Sequence, residues 1–175
     1  TKTCLDEMGT MGPLFGGLDD PTYWVASGAY SAYFWVRAAT KYGSKITVVG
    51  QSQFMDSPDR EAGVTLMDWR TGNGTAKYWV TRLLIESVSL GDVFRPTFSS
   101  SSVVHAQGFT TADGARRVLL INKQNAPTAV TINGGVSARV VDEVSHQNPP
   151  RNVSLVGGVI SLGPFSTAVV TLDQP

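Results

Sequence analysis

The chain has 175 residues and a mass of 18.7 kDa, enough for one large domain or two small ones. Its 14 Lys+Arg cancel its 14 Asp+Glu, which argues against polyanion binding, because phosphate recognition needs a basic surplus on some face. Charged residues make up 16% and hydrophobic residues 42%, the balance of an ordered chain, part of whose surface is covered by something else. Residues 1–6 read as a short strand ending in Asp6-Glu7-Met8-Gly9. The chain opens inside this strand with no initiator Met, so it is expected to be a processed product or part of a longer polypeptide.

A glycine-rich loop follows over residues 9–17. Asp20-Pro21 then predicts an N-cap with proline at the first helical position. The helix should run to about residue 42 and stop at Gly43, a C′-type glycine. Trp24, Val25, Ala29, Tyr33, Trp35 and Val36 make it apolar on most sides, so it should be buried against a sheet and other helices. Residues 45–49 form a β-branched run, the pattern of a strand covered on both faces. Gln51, Ser52 and Gln53 end that strand. Residues 54–63 form a polar loop, residues 64–69 are extended, residues 70–74 turn, and residues 75–88 form a second helix with Trp79, Val80, Leu83 and Leu84 at helical spacing. This half therefore reads as two βα units of a parallel sheet.

Composition shifts near residue 92: all four tryptophans (Trp24, Trp35, Trp69, Trp79) precede it. The remainder reads as strands at 93–98, 103–109, 117–122, 129–132, 138–142, 153–155, 159–162 and 167–172. Turn signals separate them at Asp113-Gly114, Asn133-Gly134-Gly135, Pro149-Pro150 and Gly157-Gly158. Short, regular strands of this kind suggest a β-sandwich. The domain expectation is thus residues 1–91 and residues 92–175.

Several function classes find no support. One cysteine, Cys4, excludes an internal disulfide, and His105 and His146 lie too far apart in sequence to suggest a zinc site. Neither has a nearby acid or cysteine in sequence, so both are taken as structural or surface residues. Gly12, Gly16 and Gly17 match no phosphate-cradling motif. No cofactor, metal, nucleic-acid partner or membrane span is expected; the longest apolar candidate, residues 23–36, is interrupted by Ser27, Gly28 and Ser31. Two sequons, Asn73-Gly74-Thr75 and Asn152-Val153-Ser154, offer glycosylation at Asn73 and Asn152. With the lone cysteine they favour a secreted protein, or one of a lysosome- or vacuole-like compartment.

Glu7 is the first candidate for chemistry. It follows a strand at the C-terminal edge of a parallel sheet, where active sites of such sheets lie. It can serve there as nucleophile, base or ligand, or be simply a solvated loop acid. Asp6 should point the other way. Gln51 and Gln53 end the second strand on the same edge, as sugar-bonding amides or as ordinary loop residues. Trp69 can stack on a sugar ring or pack against a helix, and packing is the commoner fate. Tyr78 and Trp79 read as core.

The order and spacing of several short motifs carry a resemblance. They include Asp6-Glu7-Met8-Gly9, Tyr23-Trp24, Val49-Gly50-Gln51-Ser52-Gln53, Asp68-Trp69-Arg70-Thr71-Gly72 and Ala76-Lys77-Tyr78-Trp79-Val80. In the second half come Ala106-Gln107-Gly108-Phe109, Leu119-Leu120-Ile121-Asn122-Lys123, Val141-Asp142-Glu143 and Pro164-Phe165. Together they resemble the C-terminal portion of a clan A retaining glycoside hydrolase, similar to the heparanase and β-glucuronidase family and to family 39-like relatives. The resemblance implies an α/β plus all-β fold: the last two βα units of a (β/α)8 barrel followed by a C-terminal antiparallel β-sandwich. It implies that Glu7 is the nucleophile and that a poly- or oligosaccharide is the substrate. The acid/base would sit on the fourth strand, in a remaining barrel portion carried by another chain or by further sequence. The alternative is a non-catalytic structural or carbohydrate-binding glycoprotein on a hydrolase-like fold, since fold does not fix function.

Overall fold

The computed structural model describes residues 3–12, 18–55 and 64–173. Most of the glycine-rich loop and of the polar loop expected at 54–63 therefore lies outside the described residues. The first half contains β1 (Thr3–Met8), α1 (Pro21–Tyr42), β2 (Ile46–Gln51) and α2 (Ala76–Ser87). The second contains β3 (Val93–Arg95), β4 (Val104–Thr110), β5 (Arg116–Asn122), β6 (Thr128–Thr131), β7 (Gly135–Val141), β8 (Arg151–Ser154), β9 (Val159–Leu162) and β10 (Thr167–Leu172).

β1 and β2 pair in parallel, from Thr3 opposite Ile46 to Met8 opposite Gln51, so both strands end on one edge. α1 begins as the sequence predicts: the Asp20 side chain accepts the Thr22 N–H at 2.8 Å, and Pro21 follows the cap. Its end differs. Gly43 has φ −56°, a right-handed conformation, not the left-handed one of a C′ glycine. A Cβ there would lie 2.5 Å from the Ala39 carbonyl oxygen, so crowding, not backbone sign, calls for glycine. α2 starts at Thr75, whose hydroxyl accepts the Tyr78 N–H. The stretch expected to be extended over 64–69 forms only isolated bridges, Met67 with Met55 and with Gly74.

The expectation that residues 45–49 are covered on both faces is not met. Thr47 is exposed and Val48 is 51% exposed. α1 and β2 instead leave an apolar groove lined by Trp35, Ala38, Ile46 and Val48.

The second half forms a six-stranded sheet of order β3-β4-β5-β10-β7-β8, with β6 and β9 as a smaller second layer. All its neighbouring strands run antiparallel, which bears out a sandwich-like domain. β3 ends at Arg95 and not at Phe98 as expected. Pro96 has no N–H to donate to a ladder, and Phe98 is 90% exposed.

The six-stranded sheet is apolar on both faces. On one, Phe109, Leu119, Ile121, Val141 and Val169 join a core with Tyr23, Val25, Val80 and Leu83 of the helices. On the other, Val104, Leu120, Val140 and Val170 pack with Ile160 and Leu162. Each fully buried Val, Leu or Ile side chain contributes roughly 1.5–3 kcal/mol, so the helix layer is bound to the sheet by a continuous core. An ion pair and a hydrogen bond tie its rim: Glu86 of α2 pairs with Arg139 of β7 at 2.7 Å, and Thr22 of α1 donates to Glu143 at 2.7 Å. Arg117 donates to the Ser87 carbonyl at the end of α2, where a cation suits the helix dipole.

The two helices meet at Gly28, where a Cβ would stand 3.0 Å from Val80 Cγ2 and 3.2 Å from Lys77 Cα. Gly28→Val is expected to push α2 away and to lower stability by about 1–3 kcal/mol, read as a lower midpoint in urea denaturation at unchanged slope.

Candidate active site

The common C-terminal edge of β1 and β2 gathers the polar groups. Glu7, one residue before the end of β1, is exposed. Its Oε1 accepts a hydrogen bond from Ser52 Oγ at 2.9 Å. The Ser52 N–H donates to the Met8 carbonyl at 2.8 Å, extending the parallel ladder one residue beyond β2. One carboxylate oxygen is thus anchored from the neighbouring strand. The arrangement offers an oriented nucleophile or base at a strand end.

Gln51 and Gln53 take different positions on this edge. The Gln51 amide is turned inward: Nε2 donates to Ser52 O at 2.6 Å and more weakly to Val64 O at 3.4 Å. Its Oε1 is buried with no partner. Gln53 is exposed and holds φ +53°, the left-handed region that non-glycine residues enter rarely. Trp69 lies elsewhere. It is half-buried beside Leu18 and Trp24 around a small recess that Glu7 and Gln53 do not line.

The loop leaving β1 is bolted to both helices. Thr10 Oγ1 donates to Ser27 O at 3.0 Å while Ser27 Oγ donates to Thr10 O at 2.7 Å. Thr10 also meets the Ser31 hydroxyl. At Gly12 a Cβ would be 2.2 Å from the Tyr23 carbonyl oxygen, so only glycine permits this approach to α1. From α2, Lys77 reaches the same region. It has no solvent exposure, and its Nζ donates to Thr10 O at 3.2 Å and Val64 O at 2.5 Å. Burying an ammonium is costly unless such acceptors surround it.

Ser52 and Lys77 are the residues that motif reading passed over. Ser52 lay between two singled-out amides. Lys77 carried a faint signal: a cation in the first turn of an apolar helix, where the dipole disfavours positive charge.

Behind Trp69, Asp68 joins the loop to the sandwich. Oδ1 accepts the Arg70 N–H at 2.9 Å and Arg70 Nε at 3.2 Å; Oδ2 accepts Gln147 Nε2 at 3.2 Å. Burial works to raise its pKa, but these donors and the Arg70 charge outweigh it and hold the carboxyl below the ordinary value. His105 stacks edge-on against Tyr33 with centroids 5.0 Å apart. Burial, then the Arg37 and Lys123 charges, hold its pKa below the usual histidine value. His146 is likewise lowered by burial, against the opposing Asp68 charge. Both fit structural placements. Asn73 and Asn152 are exposed. Among the described residues no group of three or more His, Cys, Asp or Glu is placed to hold a metal, and no helix is long and apolar enough to cross a membrane.

Residues 101–170, from just before β4 into β10, match the family model of the C-terminal immunoglobulin-like domain of D-apionate lactonase. Across nearly the whole chain the fold is similar to that of a glycoside hydrolase family 30 subfamily 8 xylanase from Clostridium acetobutylicum (TM-score 0.62, 16% identity, 99% of this chain and 43% of that one). It is similar also to a family 30 xylanase C from Talaromyces cellulolyticus (TM-score 0.68, 16% identity, 99% and 41%). A conserved exported protein from Bacteroides fragilis shares it too (TM-score 0.69, 13% identity, 98% and 39%). At these identities the likeness is one of fold, and the chain spans about two fifths of the length of these proteins. No curated protein sequence matches it.

Two pH dependences follow. The Asp68 carboxyl is more acidic folded than unfolded, so its stabilisation is complete above the unfolded value of about 3.9 and is lost as pH falls through the folded value. Asp68→Asn is expected to cost about 1–3 kcal/mol at neutral pH and to flatten the acid limb of a stability–pH curve. His105 is held neutral when folded, so a penalty grows as pH drops from the unfolded value of about 6.5 towards the folded one. His105→Phe keeps the ring contact with Tyr33 and is expected to remove that loss in thermal melts between pH 7 and 5.

Proposed function

We propose that the chain is the nucleophile-bearing portion of a retaining glycoside hydrolase. Residues 1–91 supply the last two βα units of a (β/α)8 barrel, and residues 92–175 a β-sandwich packed on its helices. The observation that carries this reading is the exposed Glu7 carboxylate at the C-terminal edge of a parallel strand pair, held through Oε1 by Ser52 at 2.9 Å. The fold shared with family 30 xylanases supports it. So does the incomplete cover of the pair, with Val48 of β2 more than half exposed, which the neighbouring βα units of a larger parallel sheet would bury.

Retaining hydrolysis uses two carboxyl groups about 5–5.5 Å apart. Glu7 attacks the anomeric carbon, forming a glycosyl–enzyme ester as the glycosidic C–O bond breaks. A second carboxylic acid, contributed by the remaining barrel portion, protonates the leaving oxygen. The same group then takes a proton from water, which cleaves the ester and frees Glu7. Ser52 keeps one Glu7 oxygen engaged and leaves the other for attack. Gln53 bonds sugar hydroxyls in this reading, which its exposure beside the edge supports, and Trp69, half-buried beside Trp24, serves packing. The substrate is a poly- or oligosaccharide, with xylan and β-glucuronides the first to test. The exposed Asn73 and Asn152 support glycosylation and a secreted or lysosome- or vacuole-like location.

The test is mechanism-based labelling of the polypeptide that contains all the barrel strands. A 2-deoxy-2-fluoro glycoside is expected to leave a covalent sugar on the peptide bearing Glu7, and Glu7→Gln is expected to abolish it. Labelling that persists in Glu7→Gln refutes the nucleophile assignment, and wild-type protein that binds sugar without labelling favours the non-catalytic alternative.

A further inference from the structure

We infer that Lys77 is a positioning residue for the Glu7 carboxylate, an inference that rests on the role of Glu7 proposed above. Lys77 acts from beneath, through the two loops that leave the strand ends. Its ammonium donates to Thr10 O, three residues after Glu7, at 3.2 Å, and to Val64 O, in the connection between β2 and α2, at 2.5 Å. The second loop is in turn tied to the edge. Val64 O also receives the Gln51 amide at 3.4 Å, and a Cβ on Gly9 would lie 3.3 Å from Val64 Cβ and 3.5 Å from Ser52 Cβ. Gly9, Val64 and Ser52 are therefore in close packing, and Ser52 is the residue that holds Glu7 at 2.9 Å.

The choice of residue at position 77 runs against local preference. A cation in the first turn of a helix opposes the dipole, and an ammonium with no exposure loses its hydration. An apolar residue would suit the helix and the core equally well. What it would lack is a charged donor able to gather carbonyls from two loops, since three N–H groups radiate from one nitrogen. The same Thr10 carbonyl accepts from Ser27 of α1, so the Lys77 bond joins both helices to the loop behind the nucleophile. Catalytic geometry is sensitive to shifts of this kind, with a misplacement of about 1 Å costing on the order of a hundredfold in rate.

The experiment uses the polypeptide with all barrel strands, comparing wild type, Lys77→Met, Lys77→Gln, Lys77→Arg and Glu7→Gln. Three quantities are read: the saturating rate of trapping by the fluorosugar, its apparent binding constant, and the thermal midpoint. Lys77→Met, which keeps the stem and removes the donors, is expected to slow trapping by about 10–100-fold while the binding constant stays within about twofold. Lys77→Arg, which keeps a buried cation with several donors, is expected to recover most of the rate. If Lys77→Met does not fold, Lys77→Gln, a neutral donor, carries the same measurement. A lower thermal midpoint with a wild-type trapping rate per folded molecule means that Lys77 serves stability alone, and overturns the inference. Labelling that persists in Glu7→Gln removes the premise instead, so failure of the inference and failure of the functional reading give different results.

Discussion

A sheet that is apolar on both faces has to be covered on both, and this constraint organises the molecule. β5 and β10 carry near-continuous apolar runs. Leu119, Ile121 and Val169 face the helices, whereas Leu120, Ala168 and Val170 face β9. The β6–β9 pair covers one side. Among the described residues α1 and α2 supply the cover on the other side. The small residues of α1, Ala26 to Ala29, let the helix pair pack closely enough to form one core with the sheet. Sandwich and helix layer are therefore held by burial, with ion pairs and hydrogen bonds only at the rim.

The polar edge inherits its geometry from that packing. Because α1 and α2 are fixed to the sheet and to each other, the groups they extend under the loops are fixed too. Ser27 and Ser31 from one helix and Lys77 from the other converge on Thr10, just beyond β1. The Glu7 carboxylate is exposed, yet the chain just beyond it is hydrogen-bonded to both helices at Thr10. Rigid support beneath an accessible acid is what a nucleophile at a strand end needs. The body of β2 shows the converse. Thr47 and Val48 are exposed, and an apolar groove stays open between β2 and Trp35 of α1.

Much of the secondary structure was legible in the residues themselves. Asp20-Pro21 marked the start of α1 and Thr75 the start of α2, because caps are local chemistry. The order of short strands followed from β-branched runs punctuated by Gly and Pro. The misreadings have equally local causes. Gly43 sits at the end of a helix, where a left-handed glycine is common, but here glycine answers the close approach of the Ala39 carbonyl. A strand over 93–98 would run through Pro96, which has no N–H for the ladder, and β3 ends at Arg95. The β-branched run at 45–49 signalled a buried strand, but a run of such residues does not by itself supply a cover, and Thr47 and Val48 are exposed.

For the site, the sequence alone placed Glu7, Gln51 and Gln53 on one edge, because two parallel strands must end together once a helix joins them. It could not say that Ser52 would hold Glu7, that the Gln51 amide would turn inward, or that Trp69 would sit beside Trp24. Those outcomes depend on rotamers and on contacts between residues tens of positions apart. Lys77 is the clearest case: its spacing identifies a helix position, and only tertiary packing brings its ammonium to Thr10 and Val64. Periodicity and capping determine which elements form and in what order, since they act within a few residues. Which polar groups meet is decided by how the helix pair settles on the sheet, since that alone sets distances across the chain.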